Sequence, residues 1–320
     1  MEKIFIKDLK VKNVVKTYFM ITKKTQKLTK YDKPYLEVTL MDSSGKIEGR
    51  VWDNAETIGN KVDSGDVVMV TAQVEEFREE KQLKIDNIEK MEEKDFNYED
   101  LIKVAEGLEE IEKNIKRSLS EIKDPWIKKL ADEFLDDETF MKAFRNAAGA
   151  KSWHNAYIGG LMEHTNEVMQ IVLKVAELYP DADRDLLIFG SFMHDIGKIY
   201  ELDSKKMDYT VEGRLIGHIS IGCRMLNDKI ASIKDFPNEL SIHIQHIILS
   251  HHGEYEQQSP VLPLTLEANV IYQADDLVSQ ANAVNGIISS QSDGSKEWSN
   301  YVSIKNRKYL LRKQKDVTPL

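Results

Sequence analysis

The hydrophobic pattern of this 320-residue chain changes period once, near residue 92, and that change decides what the chain can fold into. Before it, apolar and polar residues alternate at a period of two in short runs separated by turn signals. After it, apolar residues recur at steps of three and four. A two-residue period places alternate side chains on opposite faces of a strand, whereas steps of three and four draw a stripe along a helix. The chain is long enough for two bodies, each with its own core. The reading is therefore multidomain β + α, with a small β body first and an all-α body after it.

Strand-like runs fall at Ile4-Phe5-Ile6, Lys12 to Met20, Tyr35 to Met41, Lys46 to Trp52, Val67 to Val74 and Leu83 to Ile88. Between them lie the turn signals Asp42-Ser43-Ser44-Gly45, Gly59-Asn60 and Asp63-Ser64-Gly65-Asp66. Alternation is clear from Leu36 to Met41 and again from Ile47 to Trp52, which makes a half-buried hairpin. Five or six short strands in about ninety residues suggest a small closed barrel. The hairpin Leu36 to Trp52 and the run Val62 to Val70 resemble an OB-fold of the nucleic-acid-binding kind. Such barrels stack bases on aromatic rings within a basic groove. Phe5, Tyr18, Phe19, Tyr31, Tyr35, Trp52 and Phe77 supply rings; most are expected in the core, Trp52 among them. Lys12, Lys16, Tyr18, Lys23, Lys24 and Tyr35 form the candidate nucleic-acid contact set.

From Asp95 onward, Leu101, Ala105, Leu108, Ile111, Ile115 and Leu119 keep helical spacing, and Asp124-Pro125-Trp126 opens a helix with Asp as N-cap and Pro at the first position. Further helices are expected around 155–178, 183–200, 214–231, 238–250 and 264–290.

All eight histidines lie between positions 154 and 252. His164, His194-Asp195, His218, His251-His252 and Asp275 each fall on a different expected helix, so they would meet inside a bundle. Imidazole and carboxylate together bind divalent transition metals without thiols. The ordered set His164, His194-Asp195 and Asp275 resembles the HD-domain metal-dependent phosphohydrolases, and His218 and His251 match the further histidines of the two-metal subset. Ala274-Asp275-x-Leu277 fits that pattern better than its rival Asp276.

An OB-fold followed by an HD domain, with Tyr157 to Thr165, Ile247 to Gly253 and Trp298 to Tyr309, is similar to the YhaM family of 3′→5′ exoribonucleases along essentially the whole chain. The family pattern has a second His at the position of Asn155, a departure that touches no expected ligand. The resemblance implies a metal-dependent 3′→5′ exoribonuclease acting on single-stranded RNA, with single-stranded DNA as a secondary substrate. It implies two divalent ions, manganese favoured over iron, cobalt or zinc. Asp195 is expected to bridge the ions and, with Lys198, to be catalytic. His164, His194 and Asp275 would serve one ion, and His218 and His251 the other, with His252 as an additional candidate. Lys198 is expected to pair with substrate phosphate, and Arg214 to assist it.

The boundaries read as an OB-fold at 1–92, a helical connector at 93–150, the HD domain at 151–290 and a basic tail at 291–320. Two rival functions stay open: an HD-type nucleotide or cyclic-nucleotide phosphohydrolase with a regulatory barrel, and a non-enzymatic nucleic-acid-binding factor with a structural metal. The basic barrel weighs against the first, and the complete ligand set against the second.

The net charge of −10 opposes indiscriminate polyanion binding by the whole chain, but residues 1–35 carry ten lysines against three acids. The tail is basic again through Lys305, Arg307, Lys308, Arg312, Lys313 and Lys315. The single cysteine, Cys223, forms no internal disulfide, and no run approaches the ~20 apolar residues of a membrane span. A cytoplasmic protein without a signal peptide or membrane contact is expected; monomer and homo-oligomer both stay open. His243 and His246 are expected to be structural, and His154 to cap or pack near a helix start.

Overall fold

The computed structural model describes residues 3–77, 80–151, 155–204, 206–292 and 296–311. His154 and the tail cations Arg312, Lys313 and Lys315 lie outside the described residues.

Five strands close a barrel in the order β1-β2-β3-β5-β4: β1 (Val14–Leu28), β2 (Pro34–Asp42), β3 (Gly45–Val51), β4 (Val67–Phe77) and β5 (Glu80–Lys90). The β2–β3 hairpin pairs Leu36 with Val51 and Leu40 with Ile47, which sends that apolar set inward. Closure depends on the length of β1. Its first half pairs with β4 and its second half with β2, and the register shifts between Ile21 and Lys23. A bulge there bends the strand so that one segment serves both sides of the barrel. Helix α1 (Ala55–Gly59) lies in the β3–β4 connection and packs Ala55 and Ile58 into the barrel core.

The expected strand at Ile4-Phe5-Ile6 does not form; Ile6–Asp8 is a single 3-10 turn. Side chains take the backbone donors that a strand would need. The Ile4 N–H donates to Thr17 Oγ1 at 3.1 Å, and the Ile6 N–H to Asp42 Oδ2 at 2.8 Å. Asp42 also receives the Lys3 ammonium at 3.2 Å and the Ser44 N–H at 2.9 Å, with Lys3 and Asp42 both buried. The expected strand start at Lys12 moves to Val14, because Lys12 takes a left-handed turn conformation.

The aromatic expectation is also corrected. Of the seven barrel rings only Tyr18 and Phe19 are buried. Trp52, expected inside, lies just past the end of β3, 44% exposed and stacked on Tyr35 with ring centroids 4.8 Å apart.

The helical body contains α2 (Leu108–Ser120), α3 (Pro125–Leu135), α4 (Glu138–Asn146), α5 (Gly160–Leu178), α6 (Arg184–Met193), α7 (Lys198–Glu201), α8 (Val211–Ser232), α9 (Asn238–Ser250) and α10 (Leu266–Gln291). A two-residue ribbon, β6 (Leu202–Asp203) with β7 (Asp208–Tyr209), interrupts it. Asp124 caps α3 as expected, accepting from the Trp126 and Ile127 N–H groups. Helices α2–α4 share one core with the later helices; Phe134, Phe140 and Phe144 pack against Phe189 and Phe192 of α6. The barrel meets this body through a third cluster, in which Tyr18, Met20 and Met41 bury against Leu101, Leu202 and Met207. The Tyr18 hydroxyl donates to Asp100 in the same junction. No helix among the described residues is long and apolar enough to cross a membrane.

Asp42→Ala would strand the Lys3 ammonium in a buried position and free two backbone donors. It should lower stability by about 3–5 kcal/mol in denaturant unfolding followed by circular dichroism. A loss below ~1 kcal/mol would show that Lys3 reaches water instead.

Candidate metal centre

Five helices deliver the ligand candidates to one point. His164 lies one turn into α5, buried, with Nε2 3.0 Å from Asp275 Oδ1 of α10 and 3.5 Å from Asp195 Oδ2. Helix α6 is apolar and buried from Leu186 to Met193, and Asp183 caps its start. Its burial carries His194 and Asp195, at its C-terminal end, into the interior. His194 Nε2 stands 3.5 Å from Asp195 Oδ2. On the other side of the same carboxylate, His218 Nε2 of α8 and His251 Nε2 at the end of α9 stand 3.5 and 3.4 Å from Asp195 Oδ1. Two donor groups result: His164, His194, Asp195 and Asp275 in one, and His218, His251 and His252 in the other.

Four of the five imidazoles, those of His194, His218, His251 and His252, set Nδ1–H against an oxygen acceptor, which fixes their tautomer. His194 Nδ1–H donates to Ser191 O at 2.8 Å, and His251 Nδ1–H to Ile248 O at 2.7 Å. Both histidines sit at helix C-caps, where the last carbonyls have no helical partner and can accept from the ring. His218 lies inside α8, where that device is not available. Glu201 Oε1 accepts from both its backbone N–H and its Nδ1–H, each at 3.0 Å. His252 Nδ1–H donates to Gln257 O at 2.9 Å. The inward Nε2 atoms therefore keep their lone pairs, as metal ligands require.

Asp195 Oδ1, His218 Nε2 and His251 Nε2 are buried without a hydrogen-bond partner. Three converging, unsatisfied acceptors cost stability unless a cation completes them. The donor set fits a divalent metal of the imidazole-binding kind.

The Asp195 and Asp275 carboxylates dominate the electrostatics of the centre. Burial alone would raise Asp195, but the Lys198 ammonium 2.6 Å from Oδ2 and the His194 ring outweigh it and hold the carboxyl well below its usual range. Burial would likewise raise Asp275, and the His164 hydrogen bond reverses the effect. For His194, burial is outweighed by the Asp195 and Asp275 carboxylates, and the ring is raised. His251 is lowered by burial, and His252 is lowered to about 4 by burial and the neighbouring His251.

Two glycines permit the convergence. A Cβ on Gly197 would lie 1.9 Å from the His218 carbonyl oxygen, so Gly197 serves close approach between α7 and α8. It keeps helical angles and is not itself a bend. Gly217, at φ +74°, kinks α8 one residue before His218.

All seven expected ligand positions thus come together. Asp276 points away and pairs with Gln280. His246 Nε2 accepts from the Leu264 N–H at 2.9 Å, the structural arrangement expected for it. Lys198 lines a cleft of about 420 Å³ that opens over His218 and His252. Arg214 binds Asp208 at 2.9 Å and does not reach the donor groups. In the barrel set, Lys12, Lys16 and Lys23 are exposed. Tyr18 is not available to a base, since the domain junction buries it, and the Lys24 ammonium is held by Asp63 and the carbonyls of Gly59 and Val62. Glu201 is a functional residue the sequence reading missed. Its one signal, an acid soon after His194-Asp195, does not distinguish it from a solvated helix carboxylate.

A closed five-stranded barrel joined to a helical body with this donor set defines a metal-binding HD phosphohydrolase with an OB-fold module. The HD domain pattern matches residues 161–279, and that of the OB-fold nucleic acid binding domain matches residues 20–91. The chain is 33% identical to the 3′-5′ exoribonuclease YhaM of Bacillus subtilis, covering 85% of this chain and 86% of that one. It is 32% identical to the Bacillus velezensis protein of the same name (82% and 84%), and 30% identical to that of Listeria welshimeri (90% and 92%). This chain belongs to the YhaM family.

Glu201→Ala should weaken divalent metal binding about 10–100-fold by releasing the His218 ring, measured by calorimetric titration of the metal-stripped protein. Unchanged affinity would mean that His218 holds its orientation without Glu201.

Proposed function

We propose that this chain removes nucleotides one at a time from the 3′ end of single-stranded RNA and releases nucleoside 5′-monophosphates, using two divalent ions with manganese preferred. The observation that carries the reading is the division of the donors between the two oxygens of one buried carboxylate. Family membership supports the direction and the substrate, and the OB-fold supports a nucleic-acid ligand.

In this reading His164, His194 and Asp275 would hold one ion and His218 and His251 the second, with Asp195 between the two groups and His252 as a further donor. When bound, such ions neutralise charge on the attacked phosphate and lower the pKa of water. Mixed imidazole and carboxylate donors suit manganese, iron, cobalt or zinc better than magnesium. The chain's own residues do the remaining work. Asp195 stays ionised, and the fixed tautomers of His194, His218, His251 and His252 leave their Nε2 atoms for the centre. Lys198 brings a cation to the cleft wall, where it can compensate charge developing on phosphate. The buried centre behind a narrow cleft favours a thin single strand over a stiff duplex.

On the barrel, the exposed Tyr35–Trp52 stack and the half-exposed Phe77 are better platforms for bases than Tyr18. Lys12, Lys16 and Lys23 supply charge along the same body. Stacking reads no 2′-hydroxyl, which leaves single-stranded DNA as a secondary substrate. The free thiol of Cys223 suits a reducing compartment such as the cytoplasm.

Excess chelator should abolish activity, and manganese should restore it better than magnesium. Asp195→Ala should bind less metal and lose nearly all activity while remaining folded. A 5′-labelled RNA should give a descending ladder, and a 3′-labelled RNA should release labelled mononucleotide at once, carrying a 5′-phosphate. Early internal fragments would mean an endonuclease, and full activity in chelator would remove the metal from the reaction.

A further inference from the structure

We propose that Tyr209 and Lys151 form a nucleotide subsite at the mouth of the metal centre, where a base on the 5′ side of the scissile bond stacks on the Tyr209 ring and its phosphate pairs with the Lys151 ammonium. The proposal rests on the exonuclease reading and deepens it.

The cleft of about 420 Å³ has two unlike walls. His218, His252 and Lys198 face it from the metal side, and Lys151 and Tyr209 face it from the β6–β7 ribbon and the loop before α5. Tyr209 is 40% exposed, although it stands on a ribbon whose Leu202 and Met207 are buried against the barrel. An aromatic ring held in solvent by a ribbon anchored on the barrel adds little to any core, but it preorganises a flat apolar surface. Around it two cations face one carboxylate. Asp208 accepts from both Lys151 at 2.5 Å and Arg214 at 2.9 Å, and the two cations lie 5.5 and 5.6 Å from the Tyr209 ring centroid. Two cations share one carboxylate, so a positive charge remains for a ligand.

Lys46, exposed on β3, extends this charge onto the barrel and stands near enough to Lys151 for the two ammonium charges to interact. A path of cations thus leads from barrel to cleft past an exposed ring. A π surface beside a cation is the chemistry that holds a nucleotide of a single strand. Because the 3′ end is the one cut, the strand crossing from barrel to metal centre presents nucleotides 5′ of the scissile bond.

The test uses the full chain with manganese, 5′-labelled single-stranded RNA, and RNAs with one abasic ribose at successive positions from the 3′ end. Tyr209→Ala should raise KM about tenfold with a smaller change in kcat, and Tyr209→Phe should stay near the unaltered protein. At one abasic position the unaltered protein should show the same rise in KM, with Tyr209→Ala adding nothing further. Lys151→Ala should flatten the salt dependence of KM by roughly 0.7 in the log–log slope. If Tyr209→Ala lowered activity by the same factor on every abasic RNA as on intact RNA, the ring would only brace the ribbon and the subsite would be refuted. If the unaltered protein left RNA intact, the exonuclease reading itself would fail and take the subsite with it.

Discussion

The metal centre is arranged around one buried carboxylate. Asp195 lies in the helical core, where an unpaired anion would cost several kcal/mol of lost hydration. The fold meets that cost with Lys198 on one oxygen and with imidazole nitrogens from four helices around both. Each partner arrives on a separate helix, so the ends of α6 and α9 and the middles of α5, α8 and α10 must meet within a few ångströms. The phenylalanine cluster of α3, α4 and α6 holds the apolar helix whose end carries Asp195. Packing far from the centre is therefore what keeps the carboxylate where it is.

The histidines show how a helix's own backbone can build a ligand shell. At a C-cap, carbonyls left over by the hydrogen-bond ladder accept the Nδ1–H of His194 and His251, and no second residue is needed. In the middle of α8 the carbonyls are committed, so His218 needs a side chain, and Glu201 provides it. The kink at Gly217 also releases the His218 backbone N–H from the ladder, and the same Glu201 oxygen takes it. One carboxylate thus satisfies a strained helix turn and sets a ring, and for that reason it sits within hydrogen-bonding reach of both groups.

How far the fold and site could be read from the sequence follows from what each signal encodes. The change of period near residue 92 is legible because it reports backbone geometry directly, and the seven residues that gather at the centre are legible because few residue types bind transition metals. The barrel surface is not. In β1, Val15, Phe19 and Ile21 face the barrel core, while Tyr18 and Met20 face outward with Lys16. Alternation alone puts Tyr18 in solvent beside the lysines. It is buried because a second domain covers that face, which no period within the strand can reveal. Trp52 errs the other way: it continues the alternating run but falls beyond the last paired residue, so its ring rests on Tyr35 outside the barrel. Lys24 was read as a free charge, yet the bend of β1 after Ile21 turns it toward the carbonyls around α1. Glu201 needed the three-dimensional path of α7 against α8.

The junction that hides Tyr18 also links the two bodies mechanically. Leu202 and Met207, on the β6–β7 ribbon, bury against Tyr18, Met20 and Met41 of the barrel. Leu202 directly follows Glu201, and the Thr210 N–H, at the far end of the ribbon, donates back to the Glu201 carbonyl at 2.9 Å. The ribbon is two paired residues long, too short to hold its shape alone. Its position therefore comes from the barrel on one side and from α7 and α8 on the other. The residue that orients His218 is thus fixed partly by the barrel, and the OB-fold belongs to the architecture of the metal centre.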